Sequence, residues 1–188
     1  FLLFPGVVRD GYPRNKVQIN KYIDSIVLFL SKINKNVLNI SSIKNFSNER
    51  CKYISKSLKF KFPNLNLINS SKSTYLLSGK FKLIVETINS TGFLEALNLN
   101  IPVLLIYDDT FCSVRKSAVK EFNMLKKMKI IHSSPAEAAK FVNENYSQLD
   151  RWWNDKNLQK VRKIFCYKFA RRTDYPLKDL QKILSVNK

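Results

Sequence analysis

The sequence predicts an α/β fold: a Rossmann-like three-layer α/β/α sandwich with a mainly parallel sheet and extra C-terminal helices. Three observations predict it. Short apolar runs alternate with helical periodicities from Phe1 to Asn145, and parallel pairing through right-handed crossovers is the usual outcome of that alternation. The runs at 81–85 and 103–107 are apolar apart from Lys82, as suits strands covered on both faces. With 188 residues, 45% of them hydrophobic, the chain can bury one sizeable core.

Each element follows from its residues. Phe1-Leu2-Leu3-Phe4 reads as a buried strand running into Pro5-Gly6, and with no Met before it the start reads as a cut inside a longer protein. After a polar loop to Ile19, Tyr22, Ile23, Ile26, Val27, Leu30 and Ile33 recur at helical spacing. Val37 to Ile40 is an apolar run suited to the next strand, and Ser47 can cap a helix through Tyr53, Ile54 and Leu58. Leu65 to Ile68 is a third strand, and Ser71 to Ser78 a short helix closed by Gly79. Phe81 to Val85 leads through Thr87, Asn89, Ser90 and Thr91 into a helix from Gly92 to Leu97.

Val103 to Tyr107, entered from Pro102, is the most apolar stretch and belongs near the centre of the sheet. Ser113 caps a helix through Val119, Phe122 and Leu125, and Lys129 to Ile131 supplies a further strand. Ser134-Pro-Ala-Glu137 is a capping box with proline at the first helical position, opening a helix to about Asn145. Beyond Trp152-Trp153, Leu158 to Arg172 is amphipathic, and a last helix runs from Leu177 to Leu184. The expected organisation is a core unit over 1–150 with a helical extension over 151–188 packing on it.

No run approaches the roughly 18 apolar residues of a membrane span, and no leader-like stretch opens the chain. The expected location is cytoplasmic. Cys51, Cys112 and Cys166 are odd in number and without C-x-x-C spacing, which argues for reduced thiols and against a disulfide frame or zinc site. The formal net charge is +19. Its lysines are dispersed and accompanied by overused Asn and Ile, so nucleic acid is disfavoured as a partner, while nucleotide phosphates and an anionic inner membrane face suit the charge. A noncatalytic basic module for nucleic acid or anionic lipid stays as an alternative.

Parallel sheets bind ligands where loops leave the carboxyl ends of strands. The segment Thr87-Ile-Asn-Ser-Thr-Gly-Phe-Leu-Glu95 follows a strand and opens a helix. Asn89 belongs to this turn. Ser90 and Thr91 can present hydroxyls and N–H groups to a phosphate at the helix N-terminus, and Gly92 permits close backbone approach. Either hydroxyl can equally serve as the helix cap. Glu95 is one turn on from Thr91 and can accept hydrogen bonds from ribose hydroxyls; a capping box would need its carboxylate at 93 or 94, which are Phe93 and Leu94.

Asp108 and Asp109 end the 103–107 strand, where Asp108 can meet a sugar hydroxyl; the pair supplies too few ligands for a metal. Arg115 can contact phosphate or pair with Asp109. His132, the only histidine, has no nucleophile or acid at a recognisable spacing, which favours a packing role. Adjacent Trp152 and Trp153 cannot share one helix face, so at least one should pack inward.

The run Asn89-Ser-Thr-Gly-Phe-Leu-Glu-Ala-Leu97, followed by Asn100-Ile-Pro-Val-Leu-Leu-Ile-Tyr107, resembles the C-terminal domain of GT-B glycosyltransferases. More closely it resembles transferases of bacterial surface-polysaccharide clusters, through Asp108-Asp109, Val114-Arg115, Ala138-Ala139, Trp152-Trp153 and the basic helix 159–170, a likeness spanning roughly 81–184. The resemblance implies a domain that binds a nucleotide-sugar donor, with the acceptor and often the base held by an N-terminal domain missing from this chain. It implies that the opening loop, with Gly6, Arg9 and Arg14, faces the cleft and meets the donor diphosphate; an ordinary solvated loop is the competing reading. No catalytic residue, cofactor or metal is assigned. A nucleotide-sugar epimerase of the same fold is the alternative within this resemblance.

Overall fold

The computed structural model describes residues 1–5, 15–45, 49–69, 79–107 and 113–185. Its first half comprises β1 (Leu2–Phe4), α1 (Lys16–Lys32), α2 (Lys35–Asn39), β2 (Ser42–Asn45), α3 (Glu49–Lys61), β3 (Asn66–Asn69) and β4 (Ile84–Glu86). Then come α4 (Thr91–Asn98), β5 (Val103–Ile106), a 3-10 turn and α5 (Val119–Lys127), β6 (Ile131–His132) and α6 (Pro135–Asn145). A second 3-10 turn leads to α7 (Leu149–Trp153), α8 (Lys156–Phe169) and α9 (Pro176–Ser185).

The six strands pair in the order β3-β2-β1-β4-β5-β6, all in parallel. This is the doubly wound order expected of a Rossmann-like sandwich. Successive side chains of a strand face opposite layers. Leu3, Ile43, Val85, Leu104 and Ile106 therefore pack against α1, α3 and α6, whereas Leu2, Phe4, Ile84, Val103 and Leu105 pack against α4, α5 and α8.

Local chemistry starts and stops the helices where the sequence signals lie. Asn15 caps α1, its side chain accepting from the Gln18 amide at 3.0 Å. Ser134 caps α6 with Pro135 in the first turn, and Asp155 caps α8 by accepting from both Asn157 and Leu158. Asn100 (φ 58°) and Lys129 (φ 60°) hold left-handed backbone just past α4 and α5, the position at which helices commonly end.

One expected strand is not there. Val37 to Ile40 falls in α2 and the turn after it, and the strand is the polar run Ser42–Asn45 that follows. Hydrophobicity picks the wrong run because the interior slots of β2 hold Ser42 and Lys44, 6% and 4% exposed, while Ile40 is 61% exposed. Ser113 does not open α5; the 3-10 turn Lys116–Ala118 does. The expected helix at 71–78 and the capping role of Ser47 lie outside the described residues.

The segment after residue 150 is woven into the second layer. Trp153, Leu158, Phe165 and Cys166 belong to the same buried cluster as Phe93, Leu97 and Phe122, and the Phe122 and Phe165 rings meet edge to face at 5.6 Å. Arg162, only 7% exposed, donates to the Leu97 carbonyl at 2.6 Å and to Gln159 Oε1 at 2.9 Å. It thereby adds a side-chain donor to a carbonyl of the last turn of α4 that also accepts from the Asn100 amide at 3.2 Å.

Candidate functional site

The sheet order reverses between β1 and β4, the neighbouring strands from which the chain departs in opposite directions. In open α/β sheets the crevice outside this switch point is where ligands bind. Phe4 stands beside Glu86 in the paired register. Thr87, the next residue, donates from Oγ1 to the Phe4 carbonyl at 2.8 Å and also meets the Tyr22 hydroxyl. The departing ends of β1 and β4 are thus laced together by one hydroxyl. Thr87→Val is expected to lower stability by about 1–2 kcal/mol in urea unfolding, because two partly buried oxygens lose their partner; an unchanged midpoint would exclude the lacing role.

From Thr87 the chain turns into α4. Ser90 is the cap: its Oγ accepts from the Phe93 amide at 3.4 Å and donates to Glu86 Oε2 at 3.2 Å. Of the two hydroxyls that could cap, Ser90 does so, and Thr91 stands exposed at the first helical position. The unsatisfied N–H groups and the positive end of the helix dipole sit at this edge of the sheet.

Glu86 itself is a carboxyl in an interior position. It is 2% exposed, and its Oε1 has no hydrogen-bond partner. Burial pushes its carboxyl up to about 8, outweighing the opposing effects of the Ser90 hydrogen bond and of Lys44. Lys44 lies in the same row across the sheet, its Nζ 5.2 Å from the Phe4 ring centre. Burial lowers its pKa, opposed by the carboxylates of Glu86 and Glu95. At neutral pH Glu86 is therefore mostly uncharged, and the positive groups around it are Lys44 and the end of α4.

A groove of about 490 Å³ runs from this edge along α4. Thr91, Leu94, Glu95 and Asn98 line one side, and Arg171 and Arg172, where the chain leaves α8, line the other. The α4 residues recur at helical spacing on one face, opposite the face that buries Phe93, Ala96 and Leu97 against the sheet. The side-chain amide of Asn98 donates to the Ala170 carbonyl and closes the far end.

A family model described as LIC12162 family transferase matches residues 4–184. The chain belongs to this family. No curated protein and no solved structure matches it.

In this LIC12162 family transferase the expected site residues fall into three groups. Thr91 and Glu95 share the groove, with Ser90 and Gly92 in the turn that opens it. Thr87 and Ser90 spend their hydroxyls on the protein itself, and Asn89 is exposed beside them. Arg115 is exposed ahead of the 3-10 turn before α5 and does not line the groove. Gly6, Arg9, Arg14 and Asp108 lie outside the described residues.

His132 belongs to β6, two strands from the switch point. It is 5% exposed, its Nε2 lies 2.9 Å from the Lys129 carbonyl, and its ring packs 5.2 Å from Phe141. Burial lowers its pKa, so it sits neutral in a packing position. Trp152 and Trp153 are likewise anchors: their indole N–H groups donate to Met128 O (3.0 Å) and to Asn100 O and Oδ1 (3.1 and 3.0 Å).

Sequence reasoning missed Glu86, Lys44, Arg171 and Arg172. A signal for Glu86 was present, a carboxylate continuing the buried run Leu83-Ile84-Val85 without a break. Lys44 and the two arginines gave none, since each reads as an ordinary solvated cation until the fold brings it to this edge.

Proposed function

We propose that the chain binds the nucleotide-sugar donor of a glycosyl transfer, as the C-terminal half of a two-domain enzyme whose acceptor is a surface polysaccharide or glycolipid. One observation carries the reading: the groove begins at the capped N-terminus of α4, at the switch point, and combines Thr91 and Glu95 with two arginines. Membership of a transferase family supports it.

In this reading the diphosphate lies against the first turn of α4, where backbone N–H groups and the Thr91 hydroxyl bind anions. Glu95 accepts from the ribose hydroxyls. Arg171 or Arg172, together with Arg9 and Arg14 of the opening loop, supplies the planar cations that phosphate oxygens favour. The neutral Glu86 spares the incoming phosphates a repelling carboxylate at close range. As the glycosidic bond breaks, negative charge grows on the diphosphate leaving group, and groups fixed in advance to meet it lower the barrier. The base and the acceptor belong to the N-terminal domain.

Calorimetry against nucleoside mono- and diphosphates and their sugar conjugates tests the reading. Weak binding without turnover is expected of this chain, and Glu95→Ala should weaken it by about 1–3 kcal/mol, the range of a lost hydrogen bond to a charged group. No heat with any member of the panel removes the donor site. Unchanged affinity in a folded Glu95→Ala variant removes Glu95 from it.

A further inference from the structure

The helix α9 carries an apolar stripe with nothing against it among the described residues. Leu177, Leu180 and Leu184 are 75%, 52% and 61% exposed. At about 100° per residue they fall within an arc of about 60°. Lys178 and Lys182 stand on the opposite, polar side of the helix, about 130° and 170° from the centre of that arc. Asp179 stands off the stripe on its other side and pairs with Arg171 of the preceding segment, Nη2 to Oδ2 at 3.6 Å.

Two exposed tyrosines stand near the stripe in sequence. Tyr175 (65% exposed) carries Lys178 Nζ 5.2 Å above its ring, and Tyr167 (73% exposed) carries the Arg171 guanidinium at 5.5 Å. From Lys156 to Ser185 nine Lys and Arg face two Asp, a local charge of +7. Leucines on one face, lysines on the opposite face and a strongly basic surrounding segment are the composition of a helix that lies in a bilayer interface. Phosphates of a nucleic acid would answer the charge and leave the leucines in water.

We propose that α9 is an interfacial anchor that lays Leu177, Leu180 and Leu184 into the acyl boundary of an anionic bilayer while Lys178, Lys182 and the other cations of 156–185 supply the attraction to its surface. The inference stands independently of the donor-site reading. The anchor adds an apolar contact to the attraction that net charge alone would give, and so predicts a binding component that salt does not remove.

Flotation of the full chain with vesicles separates these components. The protein should float with vesicles of equal parts phosphatidylglycerol and phosphatidylcholine, stay behind with phosphatidylcholine alone, and retain part of its binding at high salt. The double variant Leu180→Asp/Leu184→Asp should lose at least tenfold in vesicle affinity, and Lys178→Glu/Lys182→Glu should lose binding most at low salt. Phe60→Ser, which removes an 87% exposed phenylalanine on α3, should float like the parent. Unchanged urea midpoints establish that the variants fold. Wild-type protein that fails to float with anionic vesicles, a leucine double variant that floats undiminished, or self-association through the stripe that excludes vesicles would each overturn the proposal.

Discussion

The unfolding free energy of the chain is expected to fall by on the order of 5 kcal/mol through Glu86 alone as pH rises from about 4.5 to about 8. The sign follows from proton counting. Between those limits the native protein holds a proton on Glu86 that the unfolded chain has released, so raising the pH favours the unfolded chain. Below pH 4.5 both states are protonated, and above about 8 both are ionised, so the slope vanishes at each end. The buried His132, whose pKa is lowered, works in the opposite sense on the acid side of its ordinary range.

Glu86→Gln isolates the effect. The amide accepts from Ser90 as the carboxyl does, but it cannot ionise. Urea denaturation at a series of pH values should therefore show the variant losing little stability where the parent loses most, and exceeding the parent at pH 8. At pH 4.5 the variant should be the weaker protein by about 1–3 kcal/mol, since its NH2 group enters a site where Oε1 already lacks a partner. Parallel curves for the two proteins would mean that Glu86 ionises as freely in the fold as outside it.

Trp153→Ala is expected to cost about 3–5 kcal/mol, the range for truncating a large buried aromatic. Trp153 is 2% exposed and lies in the cluster that joins α7 and α8 to α4 and α5. Its N–H also holds Asn100, whose left-handed backbone ends α4. Trp153→Phe keeps most of the volume and removes only the donor, so a smaller loss of about 1–3 kcal/mol is expected. The half-buried Trp152 should tolerate alanine better. A Trp153→Ala protein unfolding within about 1 kcal/mol of the parent would show that the extension is not held by this residue.

The layered sandwich was legible because the runs 83–85 and 103–107 are continuously apolar and α1 and α6 carry clear periodicity and caps. Strand β2 was hidden because Lys44 and Ser42 occupy interior positions that hydropathy assigns to the outside. The turn at Ser90 and the helix face bearing Thr91 and Glu95 could be read locally, since cap and spacing lie within nine residues. Glu86 and Lys44 could not, because what makes them unusual is their shared row across the sheet, and a row joins residues 42 positions apart. The far wall of the groove was beyond reach for the same reason: Arg171 returns to α4 only after two further strands and four helices have been laid down.

The seating of β1 between β2 and β4 has a kinetic consequence. Phe4 is made before its neighbour Glu86, which emerges from the ribosome about 80 residues later, an interval of about 4–16 s at ordinary synthesis rates. Both edges of Leu2-Leu3-Phe4 are open until β2 follows, and the edge that faces β4 stays open for the whole interval. Pairing that must wait on distant chain is slow and favours adventitious association. Yield in the cell should therefore respond to chaperone supply and to translation speed between Pro5 and Ile84 more than to the stability of the finished fold.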